Sequence, residues 1–157
     1  MATHVWHDIV HDMRDEMHDI ATINHTEPAR QAYLMLWVTF TLLPLLAGLD
    51  KFAGVLLENW EGYLATWVND LVPGSAADAM LWVGAIEIVA AVLVFVMPRV
   101  GGYVVAVWLA AIIVNLISTE MFYDIALRDA GLLIGAIALA RLATMYHHRE
   151  DVTPPTL

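Results

Sequence analysis

The strongest constraint on this chain is that its apolar residues gather into four blocks that hold very few charges: residues 33–49, 79–97, 100–118 and 125–145. A hydrocarbon core of about 30 Å takes roughly 20 apolar residues as helix, with about 17–25 tolerated, and each block falls in that range. Each is apolar all round, whereas a soluble helix of similar length needs a polar face. The whole-chain figures of 60% hydrophobic and 15% charged residues arise from these blocks. The expected architecture is an all-α polytopic membrane protein, a bundle of four transmembrane helices. It divides into residues 1–30, an amphipathic N-terminal helix; 31–146, the membrane domain; and 147–157, a tail.

Arginine and lysine orient the spans, because acidic residues contribute little to topology. Arg14, Arg30, Arg99, Arg141 and Arg149 fall on one side, Lys51 and Arg128 on the other. This places both termini in the cytoplasm and residues 50–78 outside a plasma membrane. No secretory signal pattern opens the chain, since the N-terminus is acidic and amphipathic. In the outer loop, Leu56, Leu57, Trp60, Tyr63, Leu64, Trp67 and Leu71 recur at helical steps. That pattern predicts an interfacial helix with its aromatics at headgroup depth, ended by Val72-Pro73-Gly74-Ser75. It is either a fixed cap or a lid over an outward-facing pocket.

Glu87 stands at the middle of the second block, where ionisable groups face a bundle interior or a water-filled cavity. Gly84 shares its stripe, so a neighbouring helix can approach closely. Its candidate partners are Lys51, one turn after Gly48 on the same face, Asn115 in the third block and Arg128 in the fourth. Arg128, Gly131, Gly135 and Ala138 share a stripe whose small residues predict an inward face carrying Arg128 with them. Asp50, Glu120, Asp124 and Asp129 read as solvated charges at the ends of spans. The cluster is either a buried ion pair that sets helix register or a polar pocket with Glu87 as proton acceptor.

Before the first block, His4, His7, His11, His18 and His25 fall within about 60° on a helix, and the apolar residues take the opposite face. The segment lies on the membrane surface or against a partner subunit. His4, His7 and His11 are candidate ligands for a metal ion; the other readings are a solvated face and a surface that gains charge near pH 6. None of the seven histidines lies in an apolar block, which argues against a haem b held between the helices by axial His. The chain has no cysteine, so thiolate metal sites, disulfides and thiol nucleophiles are excluded. A net charge of −10 argues against nucleic-acid binding, and no Gly-rich phosphate loop or nucleophile elbow is present.

The runs Ala47-Gly48-Leu49-Asp50-Lys51-Phe52, Gly84-Ala85-Ile86-Glu87-Ile88, Pro98-Arg99-Val100-Gly101-Gly102 and Arg128-Asp129-Ala130-Gly131-Leu132-Leu133, in that order and spacing, resemble the DoxX family of small membrane proteins. The resemblance covers about residues 33–145. It implies a four-helix membrane protein that partners a redox complex, as in the DoxD-type subunit of a thiosulfate:quinone oxidoreductase, and it marks Lys51, Glu87 and Arg128 as recurring polar positions. The His-rich extension and the lack of cysteine depart from the family pattern.

The expected function is a membrane subunit of an oxidoreductase complex. Lys51, Glu87, Asn115 and Arg128 would hold a quinone head group or a small sulfur-oxy anion, with electrons supplied by a partner and no covalently bound cofactor. Two alternatives stand beside it. One is a non-catalytic anchor docking a cytoplasmic partner through the N-terminal helix; the other is a metal-handling protein loaded through the histidines. The expected partners are the lipid bilayer and either protein subunits or further copies of the chain.

Overall fold

The computed structural model describes residues 27–146 together with Val10, Met13, Arg14, Met17, His18 and Ile20. All regular structure among the described residues is helical. Four long helices, α1 (Pro28–Ala53), α3 (Ala76–Val96), α4 (Pro98–Ser118) and α5 (Tyr123–Tyr146), are joined by short turns and one longer outer segment. That segment holds a 3-10 turn (Trp60–Tyr63) and the single-turn α2 (Thr66–Asn69). α1, α3 and α4 are long and apolar enough to cross a membrane. Large apolar side chains such as Leu46, Trp82, Val89 and Val107 cover their outer faces, as lipid contact requires. α5 is equally long but carries Asp124, Arg128, Asp129 and Arg141.

Local chemistry sets the ends. Pro28 and Pro98 open α1 and α4, where a fixed φ suits the first turn and the missing N–H has no partner within the helix it opens. Gly54, at φ 62°, closes α1 by donating its N–H to the Asp50 carbonyl; the left-handed conformation is what glycine adopts without a Cβ penalty. Ser75 and Asp78 form a reciprocal capping box at the start of α3.

α1 packs on α3 and α5, and α4 on α3 and α5, so the helices close a ring in the order α1–α3–α4–α5. Three of the contacts reach backbone, one of them at the α3–α4 corner, where a Cβ on Gly101 would stand 2.5 Å from the Val94 Cα. Gly48 of α1 lies on Gly84 of α3. A Cβ on Gly102 of α4 would stand 2.9 Å from the Ala136 carbonyl of α5 and 3.0 Å from the Ala140 Cβ. Between these pairs sits a core of Leu34, Trp37, Phe40, Val94, Val105, Leu109, Leu139 and Ala143. At the end where α1 begins and α5 finishes, Tyr33 stacks on Tyr146 with ring centroids 5.8 Å apart, and Arg30 lies over both rings. The described residues of the N-terminal segment are helical, and Ile20 packs against the core at this end.

The α3–α4 corner has only Met97 between its helices. Pro98 cannot donate to the Val94 carbonyl, so that turn lacks a hydrogen bond. Trp37 supplies it from α1, its Nε1 donating to the carbonyls of Val94 at 3.2 Å and Phe95 at 3.3 Å. Trp37→Phe keeps the ring and strands both carbonyls. The expected cost is about 1–3 kcal/mol, read as a lower thermal midpoint in detergent with the helix content unchanged.

Candidate functional site

The α1–α3 crossing builds the site. A Cβ on Gly48 would stand 2.7 Å from the Gly84 carbonyl oxygen, and one on Gly84 would stand 2.8 Å from that of Gly48. The two backbones therefore touch, with no side chain between them. Lys51 follows Gly48 by one turn, and Glu87 follows Gly84 by one turn. Because the helices run in opposite directions, the long lysine side chain spans the crossing to reach the carboxylate. Lys51 Nζ donates to Glu87 Oε2 at 2.7 Å, with the two side chains only 4% and 9% exposed. Nζ also reaches the Ala47 carbonyl at 3.4 Å and stands 3.9 Å above the Trp60 ring, a cation–π contact that counts for more once water is excluded.

From α4, the indole N–H of Trp108 faces the same carboxylate but lies outside hydrogen-bond geometry. This nitrogen is buried and has no hydrogen-bond partner among the described residues.

Asp50 is buried, which corrects its reading as a solvated boundary charge. The turn at Gly54 folds the outer segment back over its carboxylate. Oδ1 accepts from the amides of Val55 at 2.9 Å and Leu56 at 2.7 Å; Oδ2 accepts from the Leu57 amide at 3.1 Å and Trp60 Nε1 at 2.9 Å. Trp60 is thus held by its edge through Asp50 and by its face through Lys51.

Asn115 fastens the other side of the outer segment, donating to the Tyr63 carbonyl at 2.7 Å and accepting from the Ala65 amide at 2.9 Å. The Tyr63 ring lies 4.6 Å from that of Phe122. A single interfacial helix over residues 56–71 does not form. The Tyr63 carbonyl and Ala65 amide, which such a helix would pair internally, go to Asn115 instead, leaving the 3-10 turn and α2. The segment is a cap fastened at two points.

Arg128 is not part of this cluster. Its side chain is 68% exposed, and its Nε donates to Asp129 Oδ1 at 3.2 Å. The buried member of that pair is Asp129, a second correction to the boundary-charge reading. The inward stripe of α5 runs through Ala126, Asp129, Ala136, Ala140 and Ala143, because Ala136 and Ala140 are the residues that admit Gly102. One residue is a 100° step on a helix, enough to carry Arg128 outward. Gly131 follows it into open space, while Gly135 lies against Phe40.

Of the four residues expected to form a pocket, Lys51 and Glu87 meet, Asn115 serves the cap and Arg128 points away. The structure adds Asp50, Trp60 and Trp108. His4, His7 and His11 lie outside the described residues; among those described, no three metal-binding side chains cluster.

No family model, curated protein or solved structure matches the chain.

Asp50→Ala removes four acceptor contacts from the cap at once. The amides of Val55, Leu56 and Leu57 should then exchange hydrogen at least ~10-fold faster, since a bond to a charged acceptor is worth about 1.5–3 kcal/mol. Hydrogen exchange of the protein in nanodiscs measures this, with Ala65 as an internal control because its amide is held by Asn115.

Proposed function

We propose that this chain is a four-span integral membrane subunit of an oxidoreductase complex, and that Lys51 and Glu87 bind the head group of a quinone. One observation carries the reading: a lysine–glutamate pair at 2.7 Å, almost wholly buried, beside an indole N–H with no partner. An ionisable group that deep in a membrane helix is expensive and marks a functional site by default. α5 is the fourth span. Its charges suit that role, with Asp129 turned inward against Arg128 and with Asp124 and Arg141 near its ends. The arginine and lysine distribution puts both termini in the cytoplasm of a cell-membrane protein. The motifs that resemble the DoxX family support the same assignment.

The geometry favours a neutral head group over a small anion. With Arg128 turned away, an anion would meet one cation, Lys51, already neutralised by a carboxylate at 2.7 Å. A quinone carbonyl asks only for hydrogen-bond donors. Reduction to the quinol takes two electrons and two protons; a redox partner subunit supplies the electrons, and Glu87 exchanges protons with a ring oxygen. Lys51 offsets the negative charge that develops on that oxygen.

A second reading is supported by the same pair. Lys51 and Glu87 satisfy each other across a backbone contact, as a clasp that fixes helix register in a non-catalytic anchor would. Two variants separate the readings. Glu87→Gln strands a buried ammonium, at an expected cost of about 3–5 kcal/mol, whereas the double variant Lys51→Met/Glu87→Leu replaces the pair with apolar groups and should restore much of that stability. Quinone-coupled turnover in membranes should be lost in both. Turnover surviving in the stable double variant would overturn the quinone reading in favour of the anchor.

A further inference from the structure

Trp108 turns toward the Lys51–Glu87 pair a polar atom that has no hydrogen-bond partner among the described residues. That atom, Nε1, is buried and faces Glu87, where an unmet donor is costly. Lys51 is employed by Glu87, Trp60 by Asp50 and Asn115 by the cap; the other buried atoms without a partner among the described residues are Thr41 Oγ1 of α1 and Asn69 Oδ1 of α2. The ring of Trp108 is half-buried, so one edge meets the bilayer while the N–H points inward toward Glu87. The cap closes the site from above, since Asp50 and Asn115 fasten it on both sides. The Gly48–Gly84 contact closes it along α1–α3, and the Gly102 contact with Ala136 and Ala140 closes α4–α5. The α3–α4 seam is closed at its corner, where a Cβ on Gly101 would stand 2.5 Å from the Cα of Val94. Trp108 and Glu87 face each other about two turns further along the two helices, where no glycine contact joins α3 to α4 among the described residues.

Building on the quinone reading, we propose that Trp108 is the second hydrogen-bond donor to the bound head group, its Nε1–H donating to a carbonyl oxygen that enters from the bilayer between α3 and α4. The ligand class is a lipid-soluble molecule with a carbonyl on a flat ring. Such a carbonyl accepts from the indole without an ionised partner, and the ring can lie against the tryptophan face. Trp108 binds and orients this head group; proton exchange stays with Glu87.

The test uses the full chain in nanodiscs with decylubiquinone as probe, in wild type, Trp108→Phe and Glu87→Gln. Trp108→Phe keeps an aromatic ring and removes the donor. Its affinity should fall by about 3–10-fold, the worth of one net hydrogen bond. With the probe labelled by carbon-13 at its carbonyls, one carbonyl stretching band should move to higher wavenumber in Trp108→Phe, a change that loosened packing alone would not cause. Wild-type affinity together with an unmoved carbonyl band in Trp108→Phe would overturn the assignment of Trp108, while binding by wild type that weakens in Glu87→Gln would leave the quinone reading standing. Absence of probe binding by the wild type would overturn both. If Trp108→Phe does not fold, Trp108→His, which keeps a ring N–H, should bind the probe and retain the band position. A Trp108→His protein that folds but does not bind would count against the donor role.

Discussion

The contact between Gly48 and Gly84 is the constraint from which the rest of the interior follows. With any larger side chain at either position the helices would stand further apart, and a lysine on α1 would not reach the carboxylate on α3. Close approach removes water from between the backbones and brings both charges into the space it leaves. The bond between Lys51 and Glu87 is therefore a product of helix packing as much as of electrostatics. The pair also acts back on the packing, because neither partner can leave without exposing the other to an apolar interior.

Three carboxylates are buried among the described residues, Asp50, Glu87 and Asp129, and each is compensated by a different means. Asp50 is neutralised by a ring of N–H dipoles from the segment that folds over it. Glu87 takes the ammonium of Lys51. Asp129 is met by Nε of the Arg128 guanidinium, whose side chain is otherwise largely exposed. Only in the second is the charged partner buried together with the carboxylate. Asp50 is committed to holding loop structure, and the Asp129 pair has one member facing outward.

Much of this was legible in the sequence. The long apolar blocks, the role of Gly84 in admitting a neighbour, and the shared face of Gly48 and Lys51 were all readable from composition and period. What failed was rotation about the α5 axis. The Arg128–Gly131–Gly135 stripe looked inward because small residues usually mark a contact, but Ala136 and Ala140 make the closer one and win. The role of Asp50 was hidden for a different reason: its partners are backbone amides, which carry no signature in a sequence. Trp108 could not be singled out from an apolar stretch, since an indole N–H counts only when its surroundings are known. The outer segment kept a helical period in its apolar residues, yet a side chain from another helix, Asn115, took backbone hydrogen bonds from it.

The dependence of the α3–α4 corner on Trp37 bears on how the protein is assembled. The hairpin of α3 and α4 emerges from the ribosome with an acceptor that its own proline cannot serve, and the missing donor is on a helix already made. The corner therefore has its full set of hydrogen bonds only once the hairpin is packed on α1. A version of this chain with its first span moved to the C-terminus would have to hold that corner open until synthesis finished.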